Sequence, residues 1–391
     1  MSSFTELVEK SVQAGEPAEM APTPAPLAAE HRWLGWLGAL LLYLASFTVA
    51  FALSALFVAL TGNSPRDVVT AMYDGSLADG SAIGQTIDEA TPLLIVALGT
   101  IICTKAGIFN IGQEGQLIIG AMCGAFVALD VHGPSWIILI LTLLAAAAGG
   151  AAWAGISAVL KYWRGVDVVI STLLLIFVAF QLVTWAVTTP GVLQENAVPG
   201  SVLSPESNQL PPGLQLARIG QYPDFNVGIG CFLALALAIV VHLAMTRTRW
   251  GFRIRLLGLN RDVARSTGVR EWRTGGGSLA LSGAFAGLAG GVLLTGSVFR
   301  IQAGFSNNVG FQGLLAALVA QGSALLAIPV SLFFGALRSG GGFLASTGVP
   351  RYLVDVVQAL LVLAAIFPPV FLAVLRRRRE RVRAAAQAAV S

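Results

Sequence analysis

Thr104-Lys-Ala-Gly-Ile-Phe-Asn-Ile-Gly-Gln-Glu-Gly-Gln-Leu-Ile-Ile-Gly120 is a polar, glycine-rich break inside a nearly continuous apolar run from Ala90 to Leu129. A run of that length is enough for two membrane crossings, because one helix needs only about 20 residues. Lys105, Asn110, Gln113, Glu114 and Gln116 are costly near hydrocarbon. Such a break persists only against other protein, along a water-filled path, or at the membrane surface. The stretch therefore predicts a chain of membrane helices interrupted at a functional segment.

Composition agrees. Hydrophobic residues are 55% of the 391 and charged residues 11%, with a mean hydropathy of +0.77. A soluble domain carries roughly 25% charged residues, so the reading is an all-α, polytopic membrane protein. The 44 glycines suit helices packed backbone to backbone. Apolar segments fall near 34–60, 87–104, 113–130, 136–160, 168–188, 225–246, 278–298, 310–337 and 352–375, which predicts about eight to ten crossings. Segments 113–130 and 310–337 read as half-helices or re-entrant segments. Pro329 divides the second into Gly310–Ser323 and Ala324–Leu337. Gly283, Gly287 and Gly291 recur every four residues and share one helix face, a signal of close packing.

Arginine sets the expected orientation. Loop 247–273 holds eight arginines from Arg247 to Arg273, and the tail holds Arg376 to Arg379, Arg381 and Arg383. Both are placed in the cytoplasm, with Lys161 and Arg164. Loops 61–85 and 189–224, the latter with Arg218 as its one basic residue, are placed outside. The first 33 residues are polar and Ala/Pro/Glu-rich, with no apolar signal core, and read as a disordered cytoplasmic tail. The membrane domain is then 34–375, followed by a basic cytoplasmic tail, 376–391, held to anionic lipid.

Several chemistries are disfavoured. Cys103, Cys123 and Cys231 lie in apolar segments and read as buried thiols, while His31, His132 and His242 are too far apart in sequence to suggest a metal cluster. No Walker A loop surrounds Lys10, Lys105 or Lys161, and no hydrolase motif appears. The reading is not an enzyme, with no cofactor and no nucleic-acid partner.

The second informative stretch is Trp250-Gly-Phe-Arg-Ile-Arg-Leu-Leu-Gly-Leu-Asn-Arg-Asp-Val-Ala-Arg-Ser-Thr-Gly-Val-Arg270. Asn260 reads as an N-cap, Asp262 suits the first turn, and Gly268 reads as the end of a short amphipathic helix. It is a lipid-touching basic loop or a rigid knob for a partner's groove.

The two stretches together resemble the permease subunits of bacterial ABC importers, in the branch of nucleoside and simple-sugar permeases. The carriers are Gly107-Ile-Phe-Asn-Ile-Gly-Gln-Glu-Gly-Gln116 and Arg255-Leu-Leu-Gly-Leu-Asn-Arg-Asp-Val-Ala-Arg-Ser-Thr-Gly-Val269. In order with them come the stretches opening at Gly165, Gly310 and Leu353, so the resemblance spans about 85–375. It implies a type II-like permease that passes a nucleoside, or alternatively a simple sugar, across the cytoplasmic membrane. It also implies separate ATP-binding subunits, a second permease subunit, identical or homologous, and an extracytoplasmic solute-binding lipoprotein. Phe109, Asn110, Gln113, Glu114, Gln116, Gln181 and Gln312 are the expected path residues. Arg255, Gly258, Asn260, Arg261, Asp262, Ala264, Arg265 and Gly268 are the expected coupling residues. The chain departs from the family pattern at Ile176, where a polar Asn is frequent, and at Leu314 and Leu315.

Single residues keep two readings. Glu114 is a polar wall of the path, or it pairs with Lys105 or caps the helix from Gln116. Asn110 contacts solute or turns the chain. A proton-driven secondary transporter with Glu114 as its proton site is the rival from another class.

Overall fold

The structure, a computed structural model, describes residues 31–60, 64–196, 204–220, 224–346 and, with single gaps at 358, 369 and 373, 356–374. Of the expected tails, 1–33 and 376–391, residues 1–30 and 376–391 lie outside the described residues, while 31–33 open the first helix. Two compact units are distinguished, Met1–Leu44 and Ala45–Ser391. The second holds the helix bundle.

The helices are α1 (His31–Leu60), α2 (Pro65–Asp74), α3 (Gly80–Lys105), α4 (Gln113–Asp130), α5 (Ser135–Arg164), α6 (Val168–Thr188), α7 (Gly230–Arg247), α8 (Arg249–Leu259), α9 (Arg261–Ser266), α10 (Glu271–Leu293), α11 (Val309–Val319) and α12 (Ala327–Ser346). A π-helical turn, Leu294–Val298, prolongs α10. Two short antiparallel strands, β1 (Arg218–Gly220) and β2 (Asn226–Gly228), pair Ile219 with Val227. Among the described residues seven helices are long and apolar enough to cross a membrane. Two shorter apolar helices, α11 and Ala359–Leu372, accompany them. The all-α polytopic class is as expected.

Two boundaries differ from the sequence reading. Loop 61–85 contains α2, and α3 begins at Gly80 rather than near 87, capped by Asp79 Oδ1, which accepts from Ala82 N at 2.7 Å. The hydropathy pattern stopped short because 80–86 is dominated by small and polar residues, Gly80, Ser81, Gly84, Gln85 and Thr86. Asp88 and Glu89, inside the helix, find cationic partners on other segments. The segment 310–337 breaks at 320–326 and not at Pro329. Gln321 and Gly322 both turn left-handed, with φ of 51° and 70°, which ends α11. Pro329 then falls in the first turn of α12, where its missing N–H has no helical acceptor to lose.

Helices α4, α5 and α10 meet almost backbone to backbone. A Cβ placed on Gly287 would lie 2.1 Å from Ala146 O, and one on Gly120 only 2.3 Å from Gly287 Cα. Gly283 and Gly291 extend the same contact to Gly150 O and the Ala146 side chain. The small-residue stripe read from the sequence is thus the face of α10 that lies on α5. Gly287→Ala must push the helices apart, a change that costs about 1–3 kcal/mol when a packed interior is overfilled. The denaturation midpoint of the detergent-solubilised protein should fall accordingly. An unchanged midpoint would mean the contact is loose.

The segment 204–216 fastens onto the far end of α10. Ser207 N donates to Ile301 O at 2.8 Å, Leu210 N to Phe299 O at 2.8 Å and Leu216 N to Thr295 O at 2.8 Å. Arg300 pairs with Glu206, and Arg218 with Asp88.

Candidate functional site

The break after α3 folds back into the helix bundle. Gly107, at φ 72°, turns the chain, and Asn110 Oδ1 accepts from Gly112 N at 3.0 Å, a side-chain turn that leads into α4. Asn110, Gln113, Glu114 and Gln116 are all buried, none more than 1% exposed. Their burial is tolerable because they bond to one another and to neighbouring helices, with Gln113 Oε1 alone of these side-chain atoms left without a partner among the described residues. Asn110 Nδ2 donates to Gln116 Oε1 at 2.9 Å, and Gln116 Nε2 donates back to Asn110 Oδ1 at 3.1 Å. Gln113 Nε2 reaches Thr100 Oγ1 on α3 at 2.9 Å and Ser282 Oγ on α10 at 2.7 Å. These amides tie α3, α4 and α10 together.

Glu114 points the other way. Its Oε1 accepts from Ser306 Oγ, and its Oε2 from Gly310 N at 2.7 Å. It therefore caps a helix, but that helix is α11, not its own. A carboxylate is favoured at this positive end. Among the described residues it makes no ion pair with Lys105; the Lys105 stem instead lies against Gly322.

The segment that Glu114 holds, 299–308, carries unusual backbone. Phe299, Asn307 and Asn308 have positive φ of 59°, 44° and 62°. Conformations of this kind persist only when the surroundings hold them in place. The second hold is Arg338 on α12. Its Nη1 donates to Asn307 O at 2.8 Å and to Gln312 Oε1 at 3.1 Å, and its Nε to Glu89 Oε2 on α3 at 2.8 Å. Sequence reasoning missed Arg338 and Glu89. A lone arginine inside an apolar stretch was the available signal, because an ionisable residue at membrane depth marks a site by default.

Of the other expected path residues, Phe109 is 38% exposed, Gln181 is exposed on α6, and Gln312 is half-buried. Gln181 is not brought near the others by any hydrogen bond among the described residues. Ile176, Leu314 and Leu315 are buried or packed against the core, with Ile176 backbone against Gly115.

The basic loop folds as its residues suggest. Asn260 Oδ1 accepts from Asp262 N at 3.0 Å and Val263 N at 3.1 Å, capping α9. Gly268 closes it at φ 80°. Ala264 is buried with Leu257 and Val269 in a small core of its own. Arg265 pairs with Glu271 at 2.7 Å and Arg261 approaches the same carboxylate at 3.8 Å. Glu271 also pushes the Arg265 pKa up, so its charge is fixed. Arg255 bonds within α8. Leu259 is 86% exposed and Val263 is exposed beside it, an apolar edge on a basic loop.

The two informative stretches touch. A Cβ on Gly258 would lie 2.2 Å from Lys105 O and 2.9 Å from Gly107 N, and one on Gly107 only 3.0 Å from Gly258 Cα. The end of α8 thus rests directly on the turn that opens the polar break.

Membrane-crossing helices, a polar break locked inside them, and a rigid basic loop bearing on that break define a transport permease. Residues 83–366 match the family described as the permease component of the branched-chain amino acid transport system, and the chain belongs to it. It is 35% identical, over 85% of this chain and 87% of the relative, to a glucose ABC transporter permease of Haloferax volcanii. It is 29% identical, over 83% and 92%, to a guanosine ABC transporter permease of Bacillus subtilis. A nucleoside ABC transporter permease of Lactococcus lactis is 25% identical over 82% and 88%. No solved structure matches at a significant level. The resemblance read from the sequence is borne out: the chain is a multi-pass ABC permease subunit, a transport component rather than an enzyme.

Proposed function

We propose that this chain is the membrane-spanning subunit of an ATP-driven importer that carries a nucleoside across the bacterial cytoplasmic membrane. The observation that carries the reading is the Gly258–Gly107 backbone contact, which joins a partner-facing loop to a polar segment inside the bundle. The arginine-rich loop 247–273 and both tails face the cytoplasm, and 189–224 faces outward, where a solute-binding lipoprotein delivers solute. ATP-binding subunits dock on α8 and α9, with the exposed Leu259 and Val263 as apolar anchors. A second permease subunit completes the path. Phe109, Gln181 and Gln312 offer surface to it, while Asn110, Gln113, Glu114 and Gln116 act through the segments they position.

The mechanism follows from the contacts. Closure of the ATPases moves α9 as a rigid knob. Because Gly258 and Gly107 meet without side chains between them, the push reaches the end of α3 and the start of α4 with little slack. Glu114 then displaces 306–310 and the head of α11. Solute is never bonded covalently, so its binding is weak enough for release. A simple sugar is the second reading, supported by the relative named for glucose.

Leu259→Asp tests the docking. The side chain is out in solvent, so protein in the membrane should stay at its normal level, while ATP-driven uptake falls by about tenfold or more, as for a lost interface anchor. Normal uptake would remove α8–α9 as the docking surface. Uptake without ATP, driven by a pH gradient and lost in Glu114→Gln, would overturn the importer reading in favour of a proton-coupled transporter.

A further inference from the structure

The ion pair between Arg338 and Glu89 has no packing necessity. A buried ion pair stabilises little over apolar side chains of the same volume, because both charges lose hydration. This pair also joins two helices along their length. Gly80 to Glu89 is nine steps along α3, about 13 Å at ~1.5 Å per residue. Arg338 to Ser346 is eight steps along α12, about 12 Å. Both groups therefore lie away from the ends of their helices. Yet Glu89 keeps 30% of its side chain open and Arg338 keeps 9%. Gln85, one turn before Glu89 on the same face of α3, is exposed, as are Asn307 and Asn308. Carboxylate, guanidinium and amides do not face lipid, so this surface faces water, solute or another protein chain.

The pair also has unused bonding capacity. Arg338 spends Nε and Nη1 on protein partners, and Glu89 spends Oε2. Among the described residues Arg338 Nη2 and Glu89 Oε1 have no protein partner. A fixed donor and a fixed acceptor side by side, on groups whose charges cancel, suit one kind of solute. It is uncharged and carries two neighbouring hydroxyls: one donates to the carboxylate while the other accepts from the guanidinium. A cation or an anion gains from one partner and is repelled by the other.

We propose that Glu89 and Arg338, flanked by Gln85 and Gln312, form the place in the path where the neighbouring hydroxyls of a neutral polyol solute are read. The proposal rests on the nucleoside-or-sugar reading above, since ribose and glucose both carry such hydroxyls. It adds a specific site to that reading, formed by residues outside the 104–120 break. Because Arg338 also holds Asn307 and Gln312, solute that engages it bears directly on the strained segment 299–308.

The test uses the full importer with its ATPase and binding protein in proteoliposomes. Cys103, Cys123 and Cys231 are changed to alanine and Gln85→Cys is introduced. The rate at which a charged, membrane-impermeant thiol reagent modifies the new cysteine is measured with and without millimolar guanosine or glucose. The expected result is ready modification that whichever solute is taken up slows by about tenfold, in line with hydrogen bonds to charged groups. Glu89→Gln in the same background should keep the cysteine reactive and remove the protection. Arg338→Lys, which keeps the charge and loses the fork, should weaken it. A cysteine that the reagent cannot reach in an active importer would overturn the site. So would protection that survives Glu89→Gln. Uptake of neither guanosine nor glucose would overturn the solute class and this inference with it.

Discussion

Gly258→Val should give an importer whose ATPases still turn over but which moves no solute. The valine Cβ would land 2.2 Å from Lys105 O, on backbone that cannot rotate away as a side chain could. The chain must open a gap between α8 and the 105–107 turn to admit it. That gap is slack in the direct contact between the basic loop and the polar break. Asn260 and Glu271 still shape α9, so docking of the ATPases should survive. ATP hydrolysis in the reconstituted complex should therefore stay within about twofold, while uptake falls by about a hundredfold, as when a small misplacement reaches a functional site. Gly268→Ala is the control. It is strained by its φ of 80°, but nothing lies within 4 Å of its Cβ, so it should cost only about 1 kcal/mol of local stability and leave uptake largely intact. Equal losses in both variants would show that the loop merely needs flexibility.

Glu114→Ala should have the largest effect on stability. Two buried donors, Ser306 Oγ–H and Gly310 N–H, would lose their acceptor at once. Each unpaired buried group costs about 1–3 kcal/mol, so a loss of roughly 2–6 kcal/mol is expected from chemical denaturation of the solubilised protein. Glu114→Gln should fall between the wild type and alanine. It keeps one carbonyl acceptor but turns an N–H₂ toward a donor. The change should also loosen 299–308, whose left-handed residues depend on being held, and hydrogen exchange at 306–310 should rise with it. A shift within about 0.5 kcal/mol would mean the carboxylate does not hold that segment.

Much of this molecule is written in local pattern. Apolar runs of membrane length, the glycine stripe on α10, the Asn260 cap and the basic loop each depend on neighbours within a few turns. They could be read without knowing what lies across the bundle. Glu114 shows the limit. Sequence spacing offered Lys105 and its own helix as partners, because these lie near it in the chain. The partners that hold it, Ser306 and Gly310, are about 200 residues away and become neighbours only when α11 folds back against α4. The same holds for Glu89 and Arg338. Glu89 lay inside the apolar segment read at 87–104 and Arg338 just past the one read at 310–337, and each has its partner far away in the chain.

By itself the sequence determined the class, the membrane helices, the permease family and the capped helix of the basic loop, because burial in lipid and helix capping act on residues close together in the chain. Only the tertiary structure decided how the break at 104–120 is used. Its amides and carboxylate are not open to a passage but locked into contacts with α3, α10 and α11. Glu89 of α3, paired with Arg338 of α12, keeps 30% of its side chain open. Long-range pairing decides that division, since a charged or amide side chain in a membrane takes whichever partner the packing of distant helices brings within hydrogen-bond reach.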